Sequence, residues 1–150
     1  MKTHYAIKIE VPDVICRGKI LGRRWCVKCE KNFNICNVEN GSIEILNEIE
    51  GVKNEKLDFP GSKAGTCTWN MVPMLPDPKC PCNKSKNWER RIDDTPSIIS
   101  KRIQDYHLVT KPVLDFFHDR KKLVKFTPYK GVDDLPALVN LVSSRIYKCE

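Results

Sequence analysis

Two arginines stand directly before a pair of cysteines in the stretch GRRWCVKC, Gly22 to Cys29. A guanidinium group is a flat, permanently charged fork that matches phosphate or carboxylate oxygens two at a time. The C-x-x-C spacing of Cys26 and Cys29 lets one turn aim two sulfurs at a single ion while backbone donors stabilise the thiolates. This stretch is therefore suited to gripping anions beside a structural zinc, a redox thiol pair or two buried thiols. A second pair follows at Cys80 and Cys82, which flank Pro81 as C-x-C, with 50 residues between Cys29 and Cys80. Loop-closure entropy grows only logarithmically with length, so that excursion is no bar to one zinc ion shared by Cys26, Cys29, Cys80 and Cys82. Cys36 and Cys67 are substitutes for either member of the second pair. Redox chemistry prefers C-x-x-C at a strand-to-helix junction, whereas this pair opens a loop.

The bulk composition sets the frame for these sites. With 150 residues there is room for one domain and an appended lobe. The 41% hydrophobic and 30% charged residues suit a globular chain. No apolar run approaches the roughly 18 residues of a membrane span, so membrane insertion is not expected. The opening MKTHYAIKIEVP has no secretory apolar region, which favours reduced thiols over a disulfide framework. The net charge is +7, and the excess lies mainly in residues 76–150, with 15 basic and 10 acidic side chains against 11 and 9 before them. Its local cluster, KCPCNKSKNWERR, suits a phosphate-bearing ligand or an RNA backbone, or serves as a plain solvated face.

Periodicity predicts the elements that position these residues. YAIKIEV reads as a strand ended by Pro12-Asp13, and DVICRGKILGRR as a helix burying Val14, Ile15 and Leu21, weakened by Gly18. From Trp25 to Arg91 the pattern breaks into an irregular lobe holding six of the eight cysteines. Within it, residues 42–66 read as an insertion projecting as a hairpin or tongue. Regularity returns at DDTPSIISKRIQDYHLVTKPVLDFFHDRKK, with Thr95 as N-cap and Pro96 at the first helical position. Ile99, Ile103, Tyr106, Val113 and Phe117 mark its apolar face, and Pro112 predicts a kink. LVKFTP is a second strand. VDDLPALVNLVSSRIYK is a closing helix with Leu138, Val139, Leu141, Val142 and Ile146 as buried candidates. The order implies an α/β fold with two parallel strands, residues 1–24 and 92–150 forming the core and 25–91 the cysteine lobe.

Several ordered motifs carry a family resemblance: VPD, GRR followed by C-x-x-C, the NFN turn, the PMLP stretch, R-x-D-D, KR-x-x-x-Y and T-x-P. Together they resemble the C-terminal half of adenylate kinase, in the zinc-lid form of plants and protists. The resemblance implies a partial P-loop-kinase-like core carrying a zinc-ribbon-like lid that closes over ATP. It assigns phosphate contacts to Arg23, Arg91 and Arg102, and it puts Lys19 where the family usually has an arginine stacked on the base. No G-x-x-x-x-G-K-[ST] phosphate loop occurs in these 150 residues. ATP and AMP are thus expected as ligands only where that half is supplied.

Three functions follow from this. The chain is a non-catalytic, adenylate-kinase-like subunit of a larger assembly, mitochondrial or ribosomal, whose other protein chains cover an open sheet edge. Alternatively, it is half of a split or truncated kinase, moving phosphoryl from ATP to AMP in the cytoplasm or an organelle. The third reading is a zinc module that binds RNA or nucleotide, with Trp69 and Trp88 as stacking surfaces. His107 is read as structural, and neither His4 nor His118 has an evident partner.

Overall fold

The computed structural model describes residues 4–39, 42–46, 56–58, 69–79 and 88–146. Strand β1 (Ala6–Ile9) leads into helix α1 (Asp13–Leu21). The cysteine lobe follows, with β2 (Arg23–Cys26), β3 (Lys31–Asn34), β4 (Cys36–Glu39), β5 (Ser42–Ile45), β6 (Lys56–Asp58) and β7 (Trp88–Glu89). The long helix α2 (Pro96–Asp119), strand β8 (Leu123–Phe126) and helix α3 (Leu135–Ile146) close the described chain. As the element order requires, β1 and β8 pair in parallel, from Ala6 opposite Leu123 to Ile9 opposite Phe126. The lobe contributes two antiparallel sheets, ordered β3-β2-β7 and β4-β5-β6.

The two ends of α2 differ sharply in burial. Thr95 caps the helix by accepting from the Ile98 N–H, and Pro96 fills the first position, where its missing donor costs nothing. The helix then runs on through Pro112 to Asp119. Ile99 is fully buried and Ile103 half-buried, but Tyr106 and Val113 are exposed, as are Leu108, Val109 and Phe116. The apolar face expected from periodicity is therefore packed only over its first two turns. In α3 the buried candidates Leu138, Leu141 and Val142 reach only half burial and Val139 is 54% exposed. The side chain of Ile146 lies outside the described residues.

The dense core lies elsewhere, between α1 and the lobe. One cluster joins Ile15 of α1 to Cys36, Val38, Ile43 and Met71, and a second joins Leu21 to Ile35, Ile45 and Ile99. Each fully buried Ile or Val contributes about 1.5–3 kcal/mol by leaving water. Segment 42–45, expected to project, is instead a packed strand, because Ser42-Ile-Glu-Ile45 alternates with a two-residue period and turns Ile43 and Ile45 inward. Gly18 and Gly22 make the close packing possible. A Cβ on Gly18 would come within 2.7 Å of Ile43 Cγ2, and one on Gly22 within 2.7 Å of the Cys36 backbone nitrogen. Gly18, which weakens the helix in isolation, is thus required by packing. At Gly22 the obstacle is backbone and cannot rotate aside. Gly22→Ala should therefore lower stability by about 1–3 kcal/mol, read as a fall in the urea midpoint at unchanged slope.

Candidate functional site

The antiparallel pairing of β2 with β7 sets Cys26 opposite Trp88 and Trp25 opposite Glu89. Continuing that register along the chain brings Arg24 beside Arg90 and Arg23 beside Arg91. These arginines meet the Asp93-Asp94 turn that opens α2. Arg23 forks onto Asp94, Nε to Oδ2 at 3.0 Å and Nη2 to Oδ1 at 2.5 Å, with Asp94 only 2% exposed. Arg90 donates to the Asp94 carbonyl at 3.3 Å, and Arg102 pairs with Asp93 at 2.7 Å. The Arg91 side chain is exposed and has no hydrogen bond or ion pair among the described residues. Arg23, Arg90 and Arg102 therefore contact the two-aspartate turn, while Arg24 donates to the carbonyls of Leu21 at 2.9 Å and Arg23 at 2.8 Å.

That surplus of positive charge is felt within the cluster. Burial draws the Arg24 guanidinium below its ordinary pKa, and the neighbouring charge of Arg90 adds to the effect, with Asp94 opposing. The Arg102 hydrogen bond holds the Asp93 carboxyl below the usual range, against slight burial and with help from Arg23. Arg23 and Arg102 thus meet at the two carboxylates of one turn, and Arg91 precedes that turn with its side chain exposed. Arg90 was not singled out in the sequence, although the RR dipeptide after β7 was the available signal.

Lys19 lies apart from the arginines. Its ammonium donates to the carbonyls of Cys36 at 2.8 Å, Met71 at 3.0 Å and Val72 at 3.4 Å. His107 reaches across from α2 to α1, its Nε2 2.8 Å from Asp13 Oδ2. Arg17 donates to Ser100 Oγ at 2.7 Å. These last two contacts are rungs between α1 and α2, and the Arg23–Asp94 fork ties the start of β2 to the turn before α2.

The cysteines divide into two groups. Cys26 and Cys29 close a tight turn in which the Glu30 N–H returns to the Cys26 carbonyl at 3.0 Å and Glu30 adopts φ 53°. Burial alone would raise the Cys26 thiol, but backbone N–H groups of Cys29 and Lys28, the Cys29 thiol and the Lys28 charge outweigh it, leaving the pKa lowered. A turn that points amides at sulfur is what a metal-bound thiolate pair needs, so Cys26 and Cys29 fit half of a tetrahedral zinc site. Cys67, Cys80 and Cys82 lie outside the described residues, and among the described residues no group of three metal-binding side chains occurs. Cys36 is wholly buried in the core, where burial pushes its thiol up, so it is a packing residue there.

Parallel strands with crossover helices, a β lobe with a cysteine turn and arginines at a helix start define an α/β core carrying a β lobe. No protein-family model matches the chain. Its sequence is 30% identical over 130 residues to a GTP:AMP phosphotransferase of Plasmodium falciparum, covering 85% of this chain and 45% of that protein. A probable chloroplastic adenylate kinase 6 of Oryza sativa is 28% identical over 85% of this chain and 36% of its own length. An adenylate kinase of Fusobacterium nucleatum is 28% identical over 83% of this chain and 67% of its own length. The chain is homologous to the adenylate kinases and corresponds to their C-terminal portion. It spans less than half the length of the first two of these relatives.

Two measurements probe the cluster. Asp94→Asn removes the buried end of the Arg23 fork and should cost about 1–3 kcal/mol in urea unfolding, less than a fully buried pair because Arg23 is partly in water. The depressed Asp93 pKa makes its contribution complete above the ordinary carboxylate range near 4 and lost as pH falls through the lower folded value. Asp93→Asn should therefore flatten the acid limb of stability below about pH 4 and leave stability between pH 6 and 8 nearly independent of pH.

Proposed function

We propose that these residues grip the polyphosphate of a nucleoside triphosphate as the lid-bearing half of an adenylate-kinase-like phosphotransfer scaffold, and that they transfer no phosphoryl group by themselves. The supporting observation is a surplus of cations at the Asp93-Asp94 turn, which Arg23, Arg90 and Arg102 contact and which the exposed Arg91 precedes by two residues. Such a surplus is relieved by a multiply charged anion, and planar forks match its terminal oxygens. Arg91 is the open member, while Arg23 and Arg102 are held in place by Asp94 and Asp93 for reuse when phosphate arrives. In transfer their part is to neutralise charge on the moving group and exclude water, while the phosphate loop, carried by other residues, cradles the remaining oxygens. Lys19 is left out of this grip because its ammonium is committed to carbonyls.

Zinc held by Cys26 and Cys29, with Cys80 and Cys82, completes the reading. Only five residues of sequence lie between Cys82 and Trp88, and Trp88 pairs with Cys26. The ion would supply folding energy to the lobe. Purified protein should contain one zinc per chain, lost in Cys26→Ser, and a chelator should lower Tm. A metal-free chain of equal Tm removes this part of the proposal.

Inorganic tripolyphosphate and ATP should both bind, with affinity falling steeply with salt and at least tenfold in Arg91→Ala. Coupled assays should detect no ATP-to-AMP transfer by the 150 residues alone, and transfer should appear when a fragment carrying the phosphate loop is added. Absence of polyphosphate binding at low salt overturns the grip; transfer without the fragment overturns the division of labour.

A second reading, a non-catalytic subunit of an assembly, is favoured by the apolar side chains left in water: Leu108, Val109, Val113 and Phe116 on α2, and Ile7 and Ile9 on β1. β1 pairs with no second neighbour among the described residues, and another protein chain is the partner that would cover it. Several adenylate kinases similar to this chain carry the word chloroplastic in their names, which supports an organellar compartment. No helix among the described residues is long and apolar enough to cross a membrane. Native co-purification with other chains, together with failure of the added fragment to restore transfer, would select this reading.

A further inference from the structure

The open edge of β1 has a nearly self-complementary sequence, Ile7-Lys8-Ile9-Glu10-Val11. The Ala6 N–H donates to the Lys122 carbonyl at 3.0 Å and the Glu10 N–H to the Phe126 carbonyl at 2.8 Å. Backbone groups alternate sides along a strand, so those of Ile7 and Ile9 point away from β8. No further strand pairs with them among the described residues. Their side chains are 41% and 53% exposed. A two-stranded sheet is marginal by itself, and an open edge is a template for another strand.

Charge decides which strand fits there. A lysine alone on an edge repels a second copy of itself. Here Glu10 follows Lys8 on the same face, and the two pair at 3.0 Å, with Lys125 of β8 3.9 Å from the same carboxylate oxygen. When two copies of β1 run antiparallel, centring them on Lys8 sets lysine against lysine, and centring them on Ile7 sets Lys8 against Ala6. Centring on Ile9 sets each Lys8 directly opposite Glu10 of the other copy, with Ile9 opposite itself and Ile7 opposite Val11. In that register the outward-pointing backbone groups of both strands meet. Two opposite-charge pairs also form, at the close spacing of a pair that shares no backbone bonds.

We propose that β1 is a self-pairing edge, through which two copies of the chain join antiparallel about Ile9 into one four-stranded sheet, β8-β1-β1-β8. The symmetry is twofold, so every contact is made twice. This names the occupant of an edge that the second reading leaves to another chain. It does not rest on the arginine grip, and its failure leaves the grip untouched. The net charge of +7 opposes the approach of two copies at long range. At physiological ionic strength that repulsion is screened beyond about 8 Å, whereas Lys8 and Glu10 meet in contact.

Sedimentation and hydrogen exchange of the whole chain, over a dilution series in physiological salt, test the pairing. The mass should rise with concentration from 17.3 kDa to twice that value. Over the same range the Ile7 and Ile9 amides should gain protection, while those of Ala6 and Glu10, already bonded to β8, hardly change. Lys8→Glu should weaken association about tenfold, and adding Glu10→Lys should restore it, because the swap returns opposite charges to the same register. Should Lys8→Glu fail to fold, Ile9→Lys sets like charges across the twofold axis at an exposed position and should dissociate the pair. A chain that stays monomeric at every concentration overturns the proposal. So does a dimer that Ile9→Lys leaves intact, or one whose Ile7 and Ile9 amides exchange at the monomer rate.

Discussion

Close contact between helix α1 and the β4–β5 hairpin, permitted by two glycines on one side of the helix, governs most of this structure. Without a side chain at Gly18 or Gly22, α1 approaches until Ile43 and Cys36 fill the space a methyl group would need. That approach seals Ile15 and Leu21 into two apolar clusters and fixes where α1 ends. Arg23 follows immediately, so the position of the arginine cluster depends on a packing contact several residues away. The chemistry is electrostatic, but its geometry is set by van der Waals contact.

A buried carboxylate then orients the charge. Asp94 is almost wholly withdrawn from water, and its pairing with Arg23 is bidentate. A guanidinium held this way has lost side-chain freedom before any ligand arrives, which lowers the entropy cost of gripping one. Arg102 and Asp93 repeat the arrangement nearer the solvent. Arg91, two residues before Asp93, keeps its side chain exposed. The turn thus has paired cations at Asp93 and Asp94 and an exposed one beside them.

Much of this was legible in the sequence because its signals are local. Strands β1 and β8, the three helices, the Thr95 cap and Pro96 at its side all follow from periodicity and capping chemistry. Ordered motifs shared with a family singled out Arg23 and Arg102, which the structure sets on the neighbouring carboxylates Asp94 and Asp93. Long-range consequences were not legible. Gly18 reads as a weak point in a helix until Ile43 is placed against it, and residues 42–45 read as a projection until their alternation finds a buried face. Lys19 could not be assigned to carbonyls at Cys36, Met71 and Val72, since two of these lie more than fifty residues away. The remainder of α2 shows the opposite failure: Tyr106 and Val113 follow the helical period, yet both stay about half exposed.

The uneven covering of α2 bears on how the molecule behaves in bulk solution. Half of that helix is seated in a core, and the other half offers water a row of greasy side chains that would attract identical neighbours. What keeps such molecules apart is mutual repulsion from seven excess positive charges. Dispersal is therefore a colloidal balance rather than a property of the fold, set by excess positive charge against uncovered apolar side chains. Screening that charge with salt tilts the balance toward coalescence.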